Sequence, residues 1–209
     1  MTKVKICGIT NTQDALMAVE YGADAVGVVN VRESKRFVDL DEAREIFASL
    51  PVFVSKVIVA APDDIEEAAE LTKSGAGYIQ LHGNESTDFV EKLKEKTGME
   101  IIKKISVDKN CIGNSEEYAE IADAILLDTE AKGLSGGTGV THDWNVSKKV
   151  VCLITKPVIL AGGLNTGNVR DAIDAVEPYA VDVSSGVESR PGRKDPERLK
   201  EFIKIIKSK

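Results

Sequence analysis

Eight short apolar runs alternate with segments of helical spacing, and this alternation constrains the chain more than any other feature. The runs are Val4–Cys7, Ala25–Val29, Phe53–Val59, Tyr78–Leu81, Ile101–Ile105, Ala124–Leu127, Pro157–Leu160 and Ala180–Val183. Most lack polar alternation, as expected of strands buried on both faces of a parallel sheet. The segment Thr12 to Val19 opens on an N-cap type, Thr12, and keeps its apolar residues on one face. Asp39 to Leu50 and Asp63 to Lys73 begin with acidic residues, which suit a helix N-terminus. Leu199, Phe202, Ile203 and Ile206 follow helical spacing, with Lys204, Lys207 and Lys209 toward the C-terminal end. Strict βα order leaves a doubly wound open sheet or a closed (β/α)8 TIM barrel. Eight units within 209 residues favour the barrel, a single α/β domain over residues 1–209. Two connections, Thr129–Thr141 and Ser184 to Lys194, are longer than connection alone requires.

Charge narrows the partners. The net charge is −7, which argues against nucleic acid or an anionic membrane surface, since both need a basic footprint. A small anionic ligand needs only a local positive site. The three cysteines, Cys7, Cys111 and Cys152, form no CxxC pair, and there are two histidines, His82 and His142. Neither a zinc site nor a disulfide framework is expected. No run reaches the ~18 apolar residues of a membrane span, and the N-terminal run is too short for a signal peptide. The expected compartment is the cytoplasm.

A barrel of this kind holds its active site at the C-terminal ends of its strands. Three glycine-rich loops follow runs six, seven and eight: Gly133-Leu134-Ser135-Gly136-Gly137-Thr138-Gly139, Ala161-Gly162-Gly163-Leu164-Asn165 and Ser184-Ser185-Gly186-Val187-Glu188. Such loops let successive backbone N–H groups converge on phosphate oxygens. They can also be ordinary helix caps, but adjacent loops after strands seven and eight favour a phosphate site. The GxGxxG and GxxxxGKS fingerprints are absent, so a sugar phosphate fits better than a nucleotide. Cys7 ends the first strand, where it is either an inert core thiol or a general base. Asp128 ends the sixth, where desolvation can raise its pKa and make it a general acid. Asp182 lies within the eighth and can bind sugar hydroxyls or brace the phosphate loop. Arg36 follows the second and is either a surface charge or a carboxylate clamp. His82 follows the fourth and either shapes the pocket or is a plain loop residue. Trp144 is expected to pack at the start of the sixth helix, and Cys111 and Cys152 carry no assigned role.

Several motifs, in order and at these spacings, resemble the phosphoribosylanthranilate isomerase family of tryptophan biosynthesis. They are Lys5-Ile6-Cys7-Gly8-Ile9-Thr10, Ser34-x-Arg36, Gln80-Leu81-His82-Gly83, Asp128, Gly136-Gly137-Thr138-Gly139 with Asp143-Trp144, Leu160-Ala161-Gly162-Gly163-Leu164, and Asp182-Val183-Ser184-Ser185-Gly186-Val187-Glu188. The resemblance implies an Amadori rearrangement by general acid–base catalysis, with no metal or organic cofactor. It implies that Asp128 protonates the furanose ring oxygen and that Cys7 removes the C2′ proton. It assigns Arg36 to the anthranilate carboxylate, and Gly162, Gly163, Ser184, Ser185 and Gly186 to the phosphate. His82, Gly137 and Asp182 complete the substrate site. The chain departs from the family pattern at Val29-Asn30, Ile58, Ala60, Ala61 and His142, all on the expected pocket wall. A related barrel isomerase of histidine biosynthesis and a binding-only barrel are the rival readings. Cys7 at the end of strand one counts against the first. Intact Cys7, Asp128 and Arg36 count against the second. Monomer and homodimer both stay open.

Overall fold

Eight parallel strands close on themselves in sequence order. The computed structural model describes residues 1–129 and 141–208. Its strands are β1 (Lys3–Ile6), β2 (Ala25–Val29), β3 (Ser55–Ala60), β4 (Tyr78–Leu81), β5 (Glu100–Ser106), β6 (Ala124–Asp128), β7 (Val158–Leu160) and β8 (Ala180–Val183). β1 pairs with both β2 and β8, which shuts the barrel. The helices outside are α1 (Thr12–Glu20), α2 (Leu40–Ala48), α3 (Ile65–Glu70), α4 (Thr87–Thr97), α5 (Cys111–Ala119), α6 (Trp144–Leu153), α7 (Val169–Val176) and α8 (Pro196–Lys207). The closed barrel, not the open sheet, is the architecture.

Strand parity sorts the side chains. Val4 and Ile6 join the apolar layer beneath the helices. Cys7, Val57, Val59, Ile102, Leu126, Ile159, Ala161 and Ala180 form a separate cluster that fills the barrel interior. Successive strand residues face opposite ways, so each strand feeds one residue in two to each layer.

Several boundaries differ from the sequence reading for local reasons. Phe53 is 99% exposed and lies before β3 in a turn closed by Val54 N–H to Pro51 C=O. Pairing of this strand starts at Ser55, opposite Ala25. Cys7 and Pro157 sit just outside β1 and β7, yet both use their backbone: Cys7 N–H donates to Val183 C=O, and Pro157 C=O accepts from Ile125 N–H. The N-cap of α1 is Asn11, whose side chain accepts from Asp14 N–H, so Thr12 is the first helical residue. The Asp63–Lys73 segment divides into α3 and a 3-10 turn, Leu71–Ser74. Trp144 opens α6 and packs against the core, as expected. The long connection after β8 contains a small antiparallel hairpin, β9 (Glu188–Arg190) with β10 (Arg193–Lys194).

Two aspartates fasten the N-terminal end of the barrel. Asp24 precedes β2 and accepts Val4 N–H at 2.8 Å; Asp123 precedes β6 and accepts Ile101 N–H at 2.8 Å. Lys207 pairs with Asp24, and Lys94 with Asp123. The local sequences echo each other, Ala23-Asp24-Ala25-Val26 and Ala122-Asp123-Ala124-Ile125. Toward the other end, Lys103 on β5 points outward. It donates to Glu85 at 2.5 Å and to Gly83 C=O at 2.8 Å, and both charged side chains are 3% exposed. Burial pulls the Lys103 ammonium down from its usual pKa, and Glu85 opposes that pull. This pair anchors the loop that follows β4. Removing one member strands a buried charge, at a cost of about 3–5 kcal/mol. Lys103→Met is therefore expected to lower the unfolding free energy by about that much in a urea titration. The Lys103→Met/Glu85→Gln pair should recover a large part of the loss.

Candidate active site

Strand parity also decides which polar groups meet at the C-terminal end. On β1 the inward positions are Lys5 and Cys7. On β4 and just beyond it they are Gln80 and His82. On β5 they are Ile102, Lys104 and Ser106; on β6, Leu126 and Asp128; on β8 and beyond it, Ala180, Asp182 and Ser184. Apolar side chains fill the lower interior, and charged ones lie above them. Lys5, which had no role in the sequence reading, is 2% exposed and donates to Asp182 Oδ1 at 2.9 Å. Burial works to strip its proton, but Asp182 and Cys7 more than offset that, and its pKa ends above the usual lysine value.

Cys7 is 7% exposed. Burial pushes its thiol up from the usual value. The Lys5 ammonium works against that rise, Asp182 adds to it, and Lys194 opposes it. Asp128, at the end of β6, is also pushed up, first by burial and then by the Asp182 charge; Lys104 and the Thr129 N–H work the other way. The carboxyl is thus biased toward its protonated form, as a general acid requires. His82 Nε2 stands 3.8 Å from Asp128 Oδ2, while its Nδ1 meets Gln80 Nε2 at 3.3 Å. Burial, with Lys104, Lys5 and Lys103, lowers the His82 pKa to about 4, so its approach to Asp128 at neutral pH is not an ion pair.

Arg36 is already engaged. Its Nε and Nη2 donate to the two Glu188 oxygens at 2.8 and 2.6 Å. Nη1 has no partner among the described residues and can still meet a ligand carboxylate. Glu188 also accepts from Lys194 at 2.9 Å, and Lys194, with a fully buried side chain, donates to Cys7 C=O at 2.7 Å and Ser184 C=O at 3.1 Å. One ammonium therefore joins the end of β1, the end of β8 and the Arg36–Glu188 pair. Sequence reading assigned no role to Glu188 or Lys194, because the chain gives no sign that a loop lysine turns inward. Lys104 was equally hidden, although its place in the interior register of β5 is a usable signal.

The glycine loops stand beside these groups. Gly162 and Gly163 have φ of +87° and +68°, a region costly for other residues. A Cβ on Gly162 would collide with Thr129, and one on Gly186 would collide with Leu164 C=O. Asn165 and Asn168 side chains both donate to Gly163 C=O, which stiffens the loop after β7. Ser184 Oγ is buried without a hydrogen-bond partner among the described residues, and Ser185–Val187 form a 3-10 turn. Gly137 and the rest of the run Gly133–Gly139 lie outside the described residues. His142 links Thr129 Oγ1 (3.1 Å) to Ser147 Oγ (2.7 Å), so it ties the end of β6 to α6. Burial lowers its pKa to about 4 as well. A cavity of about 410 Å³ at the opposite end of the barrel holds none of Cys7, Asp128, Arg36 or the glycine loops.

The two imidazoles give a signed pH prediction. Each binds a proton less readily folded than unfolded, so their contribution to stability is complete above pH ~6.5 and is lost as pH falls toward 4. The expected NMR titration shows both rings neutral at pH 6. A midpoint near 6.5 for either would contradict the depression that its half-buried setting imposes.

Comparison with known proteins agrees with this geometry. The family model described as N-(5′-phosphoribosyl)anthranilate (PRA) isomerase matches residues 4–205. The N-(5′-phosphoribosyl)anthranilate isomerase of Methanocella arvoryzae is 46% identical over 99% of both chains. A solved phosphoribosylanthranilate isomerase in complex with reduced 1-(o-carboxyphenylamino)-1-deoxyribulose 5-phosphate is 40% identical, covers 99% of both chains and superposes with a TM-score of 0.87. Monomers of the dimeric phosphoribosylanthranilate isomerase from Thermotoga maritima are 39% identical over 99% of both chains, with a TM-score of 0.84.

Proposed function

The chain belongs to the N-(5′-phosphoribosyl)anthranilate isomerase family, and from that premise we propose that Cys7 and Asp128 are its base and acid. The reaction is the Amadori rearrangement of N-(5-phosphoribosyl)anthranilate to 1-(2-carboxyphenylamino)-1-deoxyribulose 5-phosphate, a step of tryptophan biosynthesis. One observation carries the assignment. Cys7 and Asp128 stand at the same barrel end, each under the charge of Asp182, beside the loops that can hold a phosphate.

Asp128, biased toward its acid form, gives its proton to the furanose ring oxygen. The C1′–O bond breaks, and the nitrogen lone pair forms a protonated Schiff base at C1′. The Cys7 thiolate then takes the C2′ proton, and those electrons move onto the iminium to give an enolamine, which tautomerises to the ketone. Gly162, Gly163, Ser184, Ser185 and Gly186 hold the phosphate through N–H groups, with the Ser184 hydroxyl, which has no partner among the described residues, as a further donor. Arg36 Nη1 holds the anthranilate carboxylate, its plane fixed by Glu188. Asp182 and His82 border the sugar. Holding both ends of the substrate sets C2′ between base and acid, where orientation lowers the barrier.

Cys7→Ala and Asp128→Asn are each expected to cut kcat by at least ~100-fold while product binding survives. Arg36→Ala should raise KM more than it lowers kcat. The wild-type chain should also restore growth of an auxotroph lacking this step. Turnover close to wild type in Cys7→Ala would remove the thiol from the mechanism. Three free cysteines suit a reducing compartment, and we infer a cytoplasmic location.

We further infer a homodimer. Val52 and Phe53 are 88% and 99% exposed, and Phe53 borders the cavity at the N-terminal end together with Tyr78, Tyr179 and Ile159. A twofold axis there would bury each Phe53 against the other copy. The sequence reading saw no such patch, because Phe53 passed for the start of a strand. Sedimentation should give a dimer for wild type and a monomer for Phe53→Asp, with turnover retained in both. A monomeric wild type would contradict the inference.

A further inference from the structure

The base needs a thiolate, yet burial pushes the Cys7 thiol the wrong way. What opposes burial is built into the neighbouring strands. Lys5 lies two residues before Cys7, so strand parity turns both side chains into the barrel. On β2 the facing residue is Gly27. A Cβ there would lie 3.0 Å from Cys7 Sγ, 3.1 Å from Lys5 Cε and 3.2 Å from Lys5 Nζ. The lysine tail and the sulfur therefore share the space that a side chain on β2 would fill. Sulfur and ammonium come within the ~6 Å over which an opposite charge shifts a pKa strongly. Across the barrel seam, Asp182 on β8 accepts from the same ammonium at 2.9 Å.

We propose that Lys5 is the positioning residue that holds Cys7 as a thiolate, that Asp182 competes with the thiolate for it, and that Gly27 makes the approach possible. This rests on the reading of Cys7 as the base. With the thiol protonated, Lys5 and Asp182 form a neutral buried pair. When Cys7 ionises, the ammonium is shared between carboxylate and thiolate. After the C2′ proton passes to sulfur, the original pair returns. Lys5 keeps its proton throughout and touches no reacting atom.

The other charged groups around Cys7 are fixed in different ways. Lys194 on β10 bonds the Cys7 carbonyl and neutralises Glu188, and Arg36, in the loop after β2, is paired with that same Glu188. Asp128 on β6 and His82 just after β4 stand 3.8 Å from one another, and His82 is neutral above pH ~5. Lys3 shares this strand face but pairs with Asp24 toward the opposite barrel end, so Lys5 is the β1 cation that stands beside the sulfur.

The test is the pH midpoint of Cys7 alkylation by iodoacetamide, read by mass spectrometry on the Cys7 peptide in a Cys152→Ser background. Lys5→Met should raise the midpoint by ~1 pH unit or more, and Lys5→Arg should leave it near wild type. Asp182→Asn should lower it, because the ammonium loses its competitor. The Lys5→Met/Asp182→Asn variant leaves no lone buried charge, which protects its fold. Its midpoint should lie above that of Asp182→Asn alone. In parallel, kcat/KM of Lys5→Met should fall ~10-fold or more at pH 7 and recover as pH rises. Unchanged midpoints in both Lys5→Met variants would overturn the proposal, as would loss of activity at every pH. The midpoint is read without turnover, so it separates this idea from the base assignment, which surviving activity in Cys7→Ala would defeat.

Discussion

A closed parallel barrel must send every second strand residue inward and must fill its interior with whatever arrives. This constraint organises the whole molecule. The lower interior receives Val57, Ile102, Leu126, Ile159 and Ala180 and is apolar. Above it the same parity delivers Lys5, Gln80, Lys104 and Asp182, and at the rim Cys7, His82, Asp128 and Ser184. A charged layer resting on an apolar plug is poorly solvated, so burial and neighbouring charges set the ionisation of Lys5, Cys7, His82 and Asp128. Burial raises both Cys7 and Asp128. For Asp128 as the proposed acid that shift helps. For Cys7 as the proposed base it is a problem that Lys5 is placed to answer.

The rim is held by long-range ties. Lys194 comes from a hairpin that packs on the loop after β1, where Thr10 Oγ1 donates to Gly192 C=O at 2.6 Å. It draws together the Cys7 carbonyl, the Ser184 carbonyl and Glu188, and Glu188 in turn fixes the plane of Arg36. The proposed carboxylate clamp, the proposed base and one glycine loop thus share a single buried ion network. Such networks are costly when partly satisfied and rigid when complete. Here the Glu188 carboxylate has both cationic partners, which outweigh burial and hold it below the usual carboxylate range. On the other side of the mouth, His142 and Thr129 tie the end of β6 to α6, and Thr129 fills the space that a Cβ on Gly162 would need.

Much of this was legible in the chain. The eight apolar runs are the eight strands, because strands buried on both faces have no polar alternation to blur the signal. Cys7, Asp128 and the glycine loops could be placed from their positions at strand ends alone. What stayed hidden depends on distance in sequence. Lys194 reaches Cys7 across 187 residues, and nothing local marks it as buried. Arg36 was legible as a clamp, but its partner Glu188 was not, since the two meet across 152 residues. Phe53 was misread because an apolar residue beside a strand looks like strand until hydrogen bonding shows that pairing starts at Ser55. Lys5 was in plain view within the first motif. It drew no role there because its partner, Asp182, lies on the last strand.

The central claim is one of placement: the sugar lies between Cys7 and Asp128, with its phosphate on the loops after β7 and β8. A crystal structure of this chain with reduced 1-(o-carboxyphenylamino)-1-deoxyribulose 5-phosphate bound tests it directly. The account predicts Cys7 Sγ facing C2′, the Asp128 carboxyl on the opposite side of the sugar, the phosphate on Gly162–Gly163 and Ser184–Gly186, and the benzoate carboxylate on Arg36. A ligand with its phosphate elsewhere, or with C2′ out of reach of the sulfur, would contradict it.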